Sequence, residues 1–211
     1  MDKKTAESII GILEKAYPDA RPGLNFNSPF QLLIATILSA QCTDKRVNMV
    51  TSRLFKKYVS PEDFANADIK ELQEEIKECG LYRSKSKNII EACKKIVQEY
   101  GGNVPQSREE LVKLPGVGRK TANVVLSNAF GVSAIGVDTH VFRVANRLGL
   151  ASSKDVYGTE RDLMDILPER VWGKAHHLLI YHGRKVCKAR KPLCDSCLLN
   201  GYCEYHNKAK G

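Results

Sequence analysis

The sequence predicts an all-α fold, and three observations carry that expectation. Apolar residues recur at three- and four-residue spacing along almost the whole 211-residue chain. Helix-start signals, a Ser, Thr or Asp ahead of an apolar run and twice followed directly by Pro, punctuate it at short intervals. No segment shows the period-two alternation of a strand above noise.

Ile9, Ile10, Ile12, Leu13 and Ala16 form the apolar stripe of a first helix that stops near Pro18. Ser28-Pro29 joins an N-cap to proline at the first helical position and opens Phe30–Ala40, apolar enough to be a central buried helix. Thr43-Asp44 starts another, with Val47, Val50, Leu54 and Phe55 on one face. Ser60-Pro61-Glu62-Asp63 and Asp68-x-x-Glu71 repeat the start signal, the second as a capping-box-like pattern. Ser84 opens a helix through Tyr100, stopped by Gly101-Gly102, and Ser107-x-x-Glu110 caps a short helix ending at Leu114. Leu114-Pro115-Gly116-Val117-Gly118 leads into a helix from about Arg119 to Phe130. Asp138-Thr139 precedes an amphipathic helix bearing Val141, Val144, Ala145 and Leu148, closed by Gly149. A last long helix covers about Pro168 to Lys185, ahead of a cysteine-rich tail.

Lys and Arg number 33 against 24 Asp and Glu, a formal charge of +9. That surplus attracts polyanions, nucleic acid first among them, with a solvated basic surface as the bland alternative. Gly at 15 and Pro at 8 exclude collagen-like and low-complexity chains. No apolar run approaches the ~20 residues of a membrane span, and Met1-Asp2-Lys3-Lys4-Thr5 does not open a signal peptide. The expectation is a soluble, intracellular protein without a membrane partner. Of the 7 cysteines, Cys42, Cys79 and Cys93 are scattered through helix-like segments, where small buried thiols are common. An odd count without a secretion signal argues against a disulfide framework.

The other four, Cys187-x6-Cys194-x2-Cys197-x5-Cys203, can close around one metal centre. Structural zinc uses two tight hooks, and only Cys194/Cys197 is one. The wide outer spacings favour an iron–sulfur cluster over zinc. Arg184, Lys185, Lys188, Arg190 and Lys191 surround the first ligands. They can balance an anionic cluster, face phosphates, or simply be solvated.

In the turn before Arg119, Gly116 and Gly118 can take positive φ and let a phosphate approach the backbone, where N–H groups at the next helix start would hold it. A plain packing corner is the alternative. Lys120 lies in the first turn of that helix, where the positive dipole end and Arg119 favour the neutral amine, the form able to attack carbon. Most first-turn lysines are merely solvated. Asp138 is an excellent N-cap, and a cap can also be catalytic if its second oxygen faces a site.

Together these residues resemble the helix–hairpin–helix DNA glycosylases. The similarity runs through Leu24-Asn25-Phe26, Ser28-Pro29-Phe30, Leu38-Ser39-Ala40-Gln41, Gly80-Leu81-Tyr82, Leu114–Asn123, Val137–Arg143 and the cysteine tail. It implies two helical lobes with a DNA cleft between them. Residues 22–132 would form a helical barrel containing the hairpin, and residues 1–21 with 133–211 a second lobe carrying a [4Fe–4S] cluster on Cys187, Cys194, Cys197 and Cys203.

The resemblance also implies the chemistry. A damaged base is flipped from the duplex; Lys120 attacks C1′ and forms a Schiff base; β-elimination then cuts the strand 3′ to the lesion. Asp138 assists the proton transfers or stabilises the cationic sugar. Gln41 and Leu81 fill or wedge the gap, and Gly116, Val117, Gly118, His140, Lys188, Arg190 and Lys191 contact DNA. Mismatch-specific relatives lack the lysine, so its presence points to a bifunctional glycosylase and abasic-site lyase for oxidised or ring-saturated pyrimidines. Its partner would be double-stranded DNA carrying such bases or abasic sites, and it would act as a monomer in a prokaryotic cytoplasm, nucleoid-associated. Cys42 is a departure, since relatives often carry a small non-thiol residue after the wedge glutamine.

Overall fold

The computed structural model describes residues 1–210, which hold twelve α-helices, three short 3-10 turns and no strand. In chain order the helices are α1 (Lys3–Ala16), α2 (Pro29–Leu38), α3 (Asp44–Lys57), α4 (Pro61–Ala65), α5 (Ile69–Ile76) and α6 (Tyr82–Tyr100). They continue as α7 (Arg108–Leu111), α8 (Arg119–Ala129), α9 (Thr139–Leu148), α10 (Val156–Ile166), α11 (Trp172–Lys185) and α12 (Glu204–Lys210). None is long and apolar enough to cross a membrane. The chain divides into two compact units, Pro22–Val132 and a second made of Met1–Arg21 with the chain from Ser133 onward.

In the unit Pro22–Val132, α2 is the buried axis. Ser28 Oγ accepts from Gln31 N at 3.2 Å and Pro29 occupies the first turn, which fixes where the helix starts. Every residue from Leu32 to Leu38 is buried, and α3, α6 and α8 pack around it. Each large apolar side chain so buried contributes about 1.5–3 kcal/mol. Thr36 is tolerated there because its hydroxyl donates to Leu32 O at 2.7 Å. Ser60 and Asp63 close a full capping box on α4, which sets Phe64 against Tyr58 and Phe30. Asp68 caps α5 through the N–H groups of Lys70 and Glu71. Glu71 does not complete a box there; its carboxylate takes Lys57 Nζ at 2.7 Å and the Tyr58 hydroxyl at 3.3 Å instead.

One boundary in this unit departs from expectation. Helix α6 starts at Tyr82, two residues before the Ser84 signal, and its N-cap Leu81 is left-handed. Ser84 Oγ donates to Leu81 O at 3.0 Å rather than capping the helix. Cys79 and Cys93 are buried as expected, and burial pushes both thiols up to about 12, with Cys42 adding to the effect on Cys79.

The second unit is built on α9, with α10, α11 and α12 against it and α1 against α11. Its core joins Ile9, Ile10 and Leu13 of α1 to Val141, Val144 and Leu148 of α9 and Leu178 and Leu179 of α11. The last helix before the tail begins at Trp172, not Pro168. Pro168 is extended (φ −66°, ψ 142°), a 3-10 turn at Glu169–Val171 follows, and Trp172 Nε1 donates to Leu167 O at 3.1 Å.

Candidate functional site

The hairpin before α8 is tightened by Val117 N donating to Leu114 O at 3.1 Å. Gly116 takes the left-handed conformation (φ +78°), but Gly118 does not: it is extended, with φ −88° and ψ 175°. Positive φ is therefore needed at Gly116 alone. Val117 is buried and sits under the turn as its anchor, while Gly116 and Gly118 are exposed. No side chain caps α8, in contrast to the Ser, Thr and Asp caps of α2, α3 and α5. The first N–H groups of α8 thus meet no side-chain acceptor, the condition under which a helix start binds an anion. Lys120 stands half-buried in that first turn.

Ala at Gly116 would be strained by its φ, and its Cβ would lie 3.0 Å from Asn88 Cβ. Gly116→Ala is expected to cost about 1–3 kcal/mol. Gly118→Ala, with no atom within 4 Å of the added carbon, is expected to cost clearly less. Thermal unfolding of the two variants side by side checks the contrast.

Three non-glycine residues among those described adopt left-handed backbone: Gln41 (φ 53°), Leu81 (φ 48°) and Lys191 (φ 50°). Each costs about 1–2 kcal/mol relative to an ordinary conformation, and such strain concentrates at binding sites. All three are positions that the resemblance assigns to DNA. Gln41 follows the end of α2, Leu81 precedes α6, and Lys191 lies in the loop between Cys187 and Cys194. Leu81 is 53% exposed, an apolar side chain presented to solvent.

Asp138 is the N-cap of α9. Its Oδ1 accepts from His140 N and Val141 N, both at 2.8 Å, and its Oδ2 lies 3.2 Å from His140 Nδ1. Burial pushes its carboxyl up, but the Val141 N–H and the charges of His176 and His140 outweigh burial, so it ionises below the ordinary aspartate value. One oxygen is committed to the cap, and the other faces a ring that is 31% exposed.

The four tail cysteines line one apolar hollow with Leu148, His182, Val186 and Leu193. Burial raises the thiols of Cys197 and Cys203, and repulsion from the neighbouring cysteines adds to it, so these two favour the thiolate only beside a positive centre. No three His, Cys, Asp or Glu side chains among the described residues converge on a single-ion site. Four cysteine sulfurs around one hollow are the donor set that an iron–sulfur cluster takes, and these four residues would hold it. Sulfur also receives hydrogen bonds, from Leu199 N to Cys197 Sγ at 3.4 Å and from Arg147 Nη1 to Cys187 Sγ at 3.5 Å. His182, lowered by burial to about 4 and so neutral, approaches Cys197 Sγ at 3.5 Å. Tyr17 OH reaches its other ring nitrogen at 3.1 Å, so Tyr17 donates to Nδ1 if Nε2 carries the proton toward sulfur.

Lys188, Arg190 and Lys191 are all exposed and do not line the hollow. The cation beside the thiols is instead Arg147, which also donates to Lys188 O (2.8 Å) and Ala189 O (3.1 Å) and lies over the Tyr205 ring. Arg143 ties Cys187 O and Gly183 O to α9. Sequence reasoning missed both. Arginines four apart on a helix ordinarily read as a solvated face, and only their carbonyl acceptors, 40 or more residues away, turn them inward.

Comparison with known proteins gives a consistent result. The family profile of HhH-GPD superfamily base excision DNA repair proteins matches residues 34–169, and that of the iron–sulfur binding domain of endonuclease III matches residues 187–203. Endonuclease III of Synechocystis sp. is 52% identical over 95% of this chain and 92% of its own length. Endonuclease III of Bacillus subtilis is 50% identical over 99% of this chain and 95% of its own. A solved trapped endonuclease III–DNA covalent intermediate, an estranged-adenine complex, superposes with a TM-score of 0.94 at 47% identity, covering 100% of both chains.

Proposed function

Because the chain belongs to the endonuclease III family of HhH-GPD base excision repair proteins, we propose that Lys120 and Asp138 carry its reaction and that Gln41, Leu81, the hairpin and the basic tail loop seat its substrate. The activity is that of the family: the enzyme is a DNA glycosylase and abasic-site lyase of base excision repair, DNA-binding and dependent on a [4Fe–4S] cluster. Its substrates in this reading are oxidised or ring-saturated pyrimidines in double-stranded DNA, and abasic sites. It works as a monomer, nucleoid-associated in a prokaryotic cytoplasm, a setting that fits its bacterial relatives.

The exposed glycines of the hairpin and the uncapped start of α8 grip phosphate without reading sequence. The damaged nucleotide leaves the stack, and Gln41 and Leu81 occupy the space it vacates. The Lys120 amine attacks C1′, the glycosidic C1′–N bond breaks, and the base departs with its electron pair. The sugar ring opens as an iminium on Lys120. Loss of a C2′ proton then expels the 3′ phosphate oxygen and cuts the strand. Asp138, ionised across the working range, offsets positive charge on the sugar and accepts protons on the way. His140 holds the Asp138 carboxylate and lies beside the duplex. Lys188, Arg190 and Lys191 meet phosphates, on a loop shaped by the cluster on Cys187, Cys194, Cys197 and Cys203. When bound, the cluster supplies a fixed centre about which the tail folds.

One observation carries the site assignment: the left-handed backbone of Gln41, Leu81 and Lys191 falls on three positions assigned to the duplex. The test is borohydride trapping on duplexes holding one abasic site, one ring-saturated pyrimidine or one oxidised purine. A covalent adduct and 3′ cleavage with the first two are expected. Base release without an adduct would overturn the lyase assignment, and a preference for the purine would overturn the substrate class.

A further inference from the structure

Lys85, in the first turn of α6, is 3% exposed. Its ammonium has no carboxylate partner among the described residues. It donates to three backbone carbonyls, Leu38 O, Ala40 O and Cys79 O, each at 2.8 Å. These use all three of its N–H bonds. The acceptors come from two separate stretches. Leu38 and Ala40 lie at the end of α2, immediately before Gln41, and Cys79 ends the 3-10 turn before Gly80 and Leu81. Gln41 and Leu81 are the two left-handed non-glycine residues of this unit.

A buried ammonium without a counter-ion is costly to desolvate, and burial pulls this one below the ordinary lysine value. A methionine would fill the same space without that cost. We propose that Lys85 is a positioning residue for base extrusion: by tying the carbonyls beneath Gln41 to the carbonyl beneath Leu81, it makes the two left-handed residues a single preset wedge. The inference rests on the reading of Gln41 and Leu81 as gap-filling residues. Three further features make the lysine suited to the task. The end of α2 leaves carbonyls unpaired and carries the negative end of its dipole, where a cation is stabilised. The tetrahedral ammonium can reach acceptors on two loops, which a planar guanidinium matches poorly. Fixing both loops before DNA arrives removes an ordering cost from the extrusion step.

The experiment compares Lys85→Met, which keeps the reach and loses the donors, with the wild-type holoenzyme. Single-turnover base release is measured on a fully paired lesion duplex and on the same lesion in an unpaired bubble. Lys85→Met is expected to slow release from the paired duplex by about tenfold or more, chiefly in the rate and not in KM, and to leave the bubble within about twofold. Added to Gln41→Ala/Leu81→Ala, it should have almost no further effect, since it acts through them. An equal loss on both substrates, or a loss that adds to that of the double variant, overturns the role of Lys85. If Gln41→Ala/Leu81→Ala leaves paired-duplex release unchanged, the wedge reading itself falls, whatever Lys85→Met does. Lys85→Leu, which also removes the donors, carries the same comparison if the methionine variant does not fold.

Discussion

Lys120→Gln is expected to abolish borohydride trapping and to lower base release by about 1,000-fold or more, while duplex affinity falls by no more than severalfold. Glutamine keeps most of the side chain's length and polarity, and it removes the amine that forms the imine in the proposed reaction. The hairpin does not depend on that atom. Its turn is closed by Val117 N and Leu114 O, and α8 by Ala122 N and Gly118 O. One cation is lost from the interface, which reduces the salt dependence of binding by about one phosphate's worth. Stability moves the other way. A lysine in the first turn of a helix, next to Arg119, opposes the dipole, so its removal is worth about 0.3–1 kcal/mol to the fold. A variant that melts slightly higher, binds DNA and does no chemistry would mark Lys120 as a residue kept for function at some expense to the fold. Trapping at near wild-type levels would place the nucleophile elsewhere.

The caps were the most legible part of the fold. Ser28, Thr43, Ser60, Asp68, Ser107 and Asp138 each precede a helix in the sequence and each accepts from its first turn in the structure. That reading works because a cap is a local interaction, complete within four residues. Helix α10 shows the limit. Its buried positions are Gly158, Thr159, Glu160 and Leu163, so its inward face is largely polar and an apolar stripe cannot reveal it. Thr159 is paired with Asn146 of α9 at 3.2 Å, a partner that sequence spacing does not indicate.

The candidate site divides in the same way. Glycine at 116 is a local signal, because few other residues accept its φ. The left-handed backbone at Gln41 and Leu81 has no such signal, since neither residue favours it; the tertiary structure imposes it. Lys85 and Arg147 are harder still. Each is a cation by composition and is expected in water, yet each is spent on carbonyls that the fold brings from distant parts of the chain. A count of charges therefore includes two side chains that hold loops together, Lys85 from a buried position and Arg147 from a partly buried one. The exposed part of the +9 surplus includes Lys188, Arg190 and Lys191, the cations that the proposed reading sets against phosphates.

Asp138→Asn separates the two duties of the residue that caps α9. Asparagine caps about as well as aspartate, so the bonds to His140 N and Val141 N persist and only the charge is lost. Base release is expected to fall by about 100- to 10,000-fold. Trapping on a pre-formed abasic site should fall less, because no base has to leave a sugar that is turning cationic. The carboxyl ionises below the ordinary aspartate value, so its contribution to stability is present above the unfolded-state value of about 3.9 and fades as pH drops through the lower folded value. The Tm difference between wild type and Asp138→Asn is therefore largest near neutrality and closes in acid. The same depression keeps Asp138 charged wherever the enzyme works. Any acid limb in the wild-type rate profile belongs to another group, and Asp138→Asn should lower the whole curve while leaving that limb in place. Disappearance of the limb in the variant would mean that Asp138 titrates there, and the carboxylate would then have to be read as a proton donor whose environment raises it during the reaction.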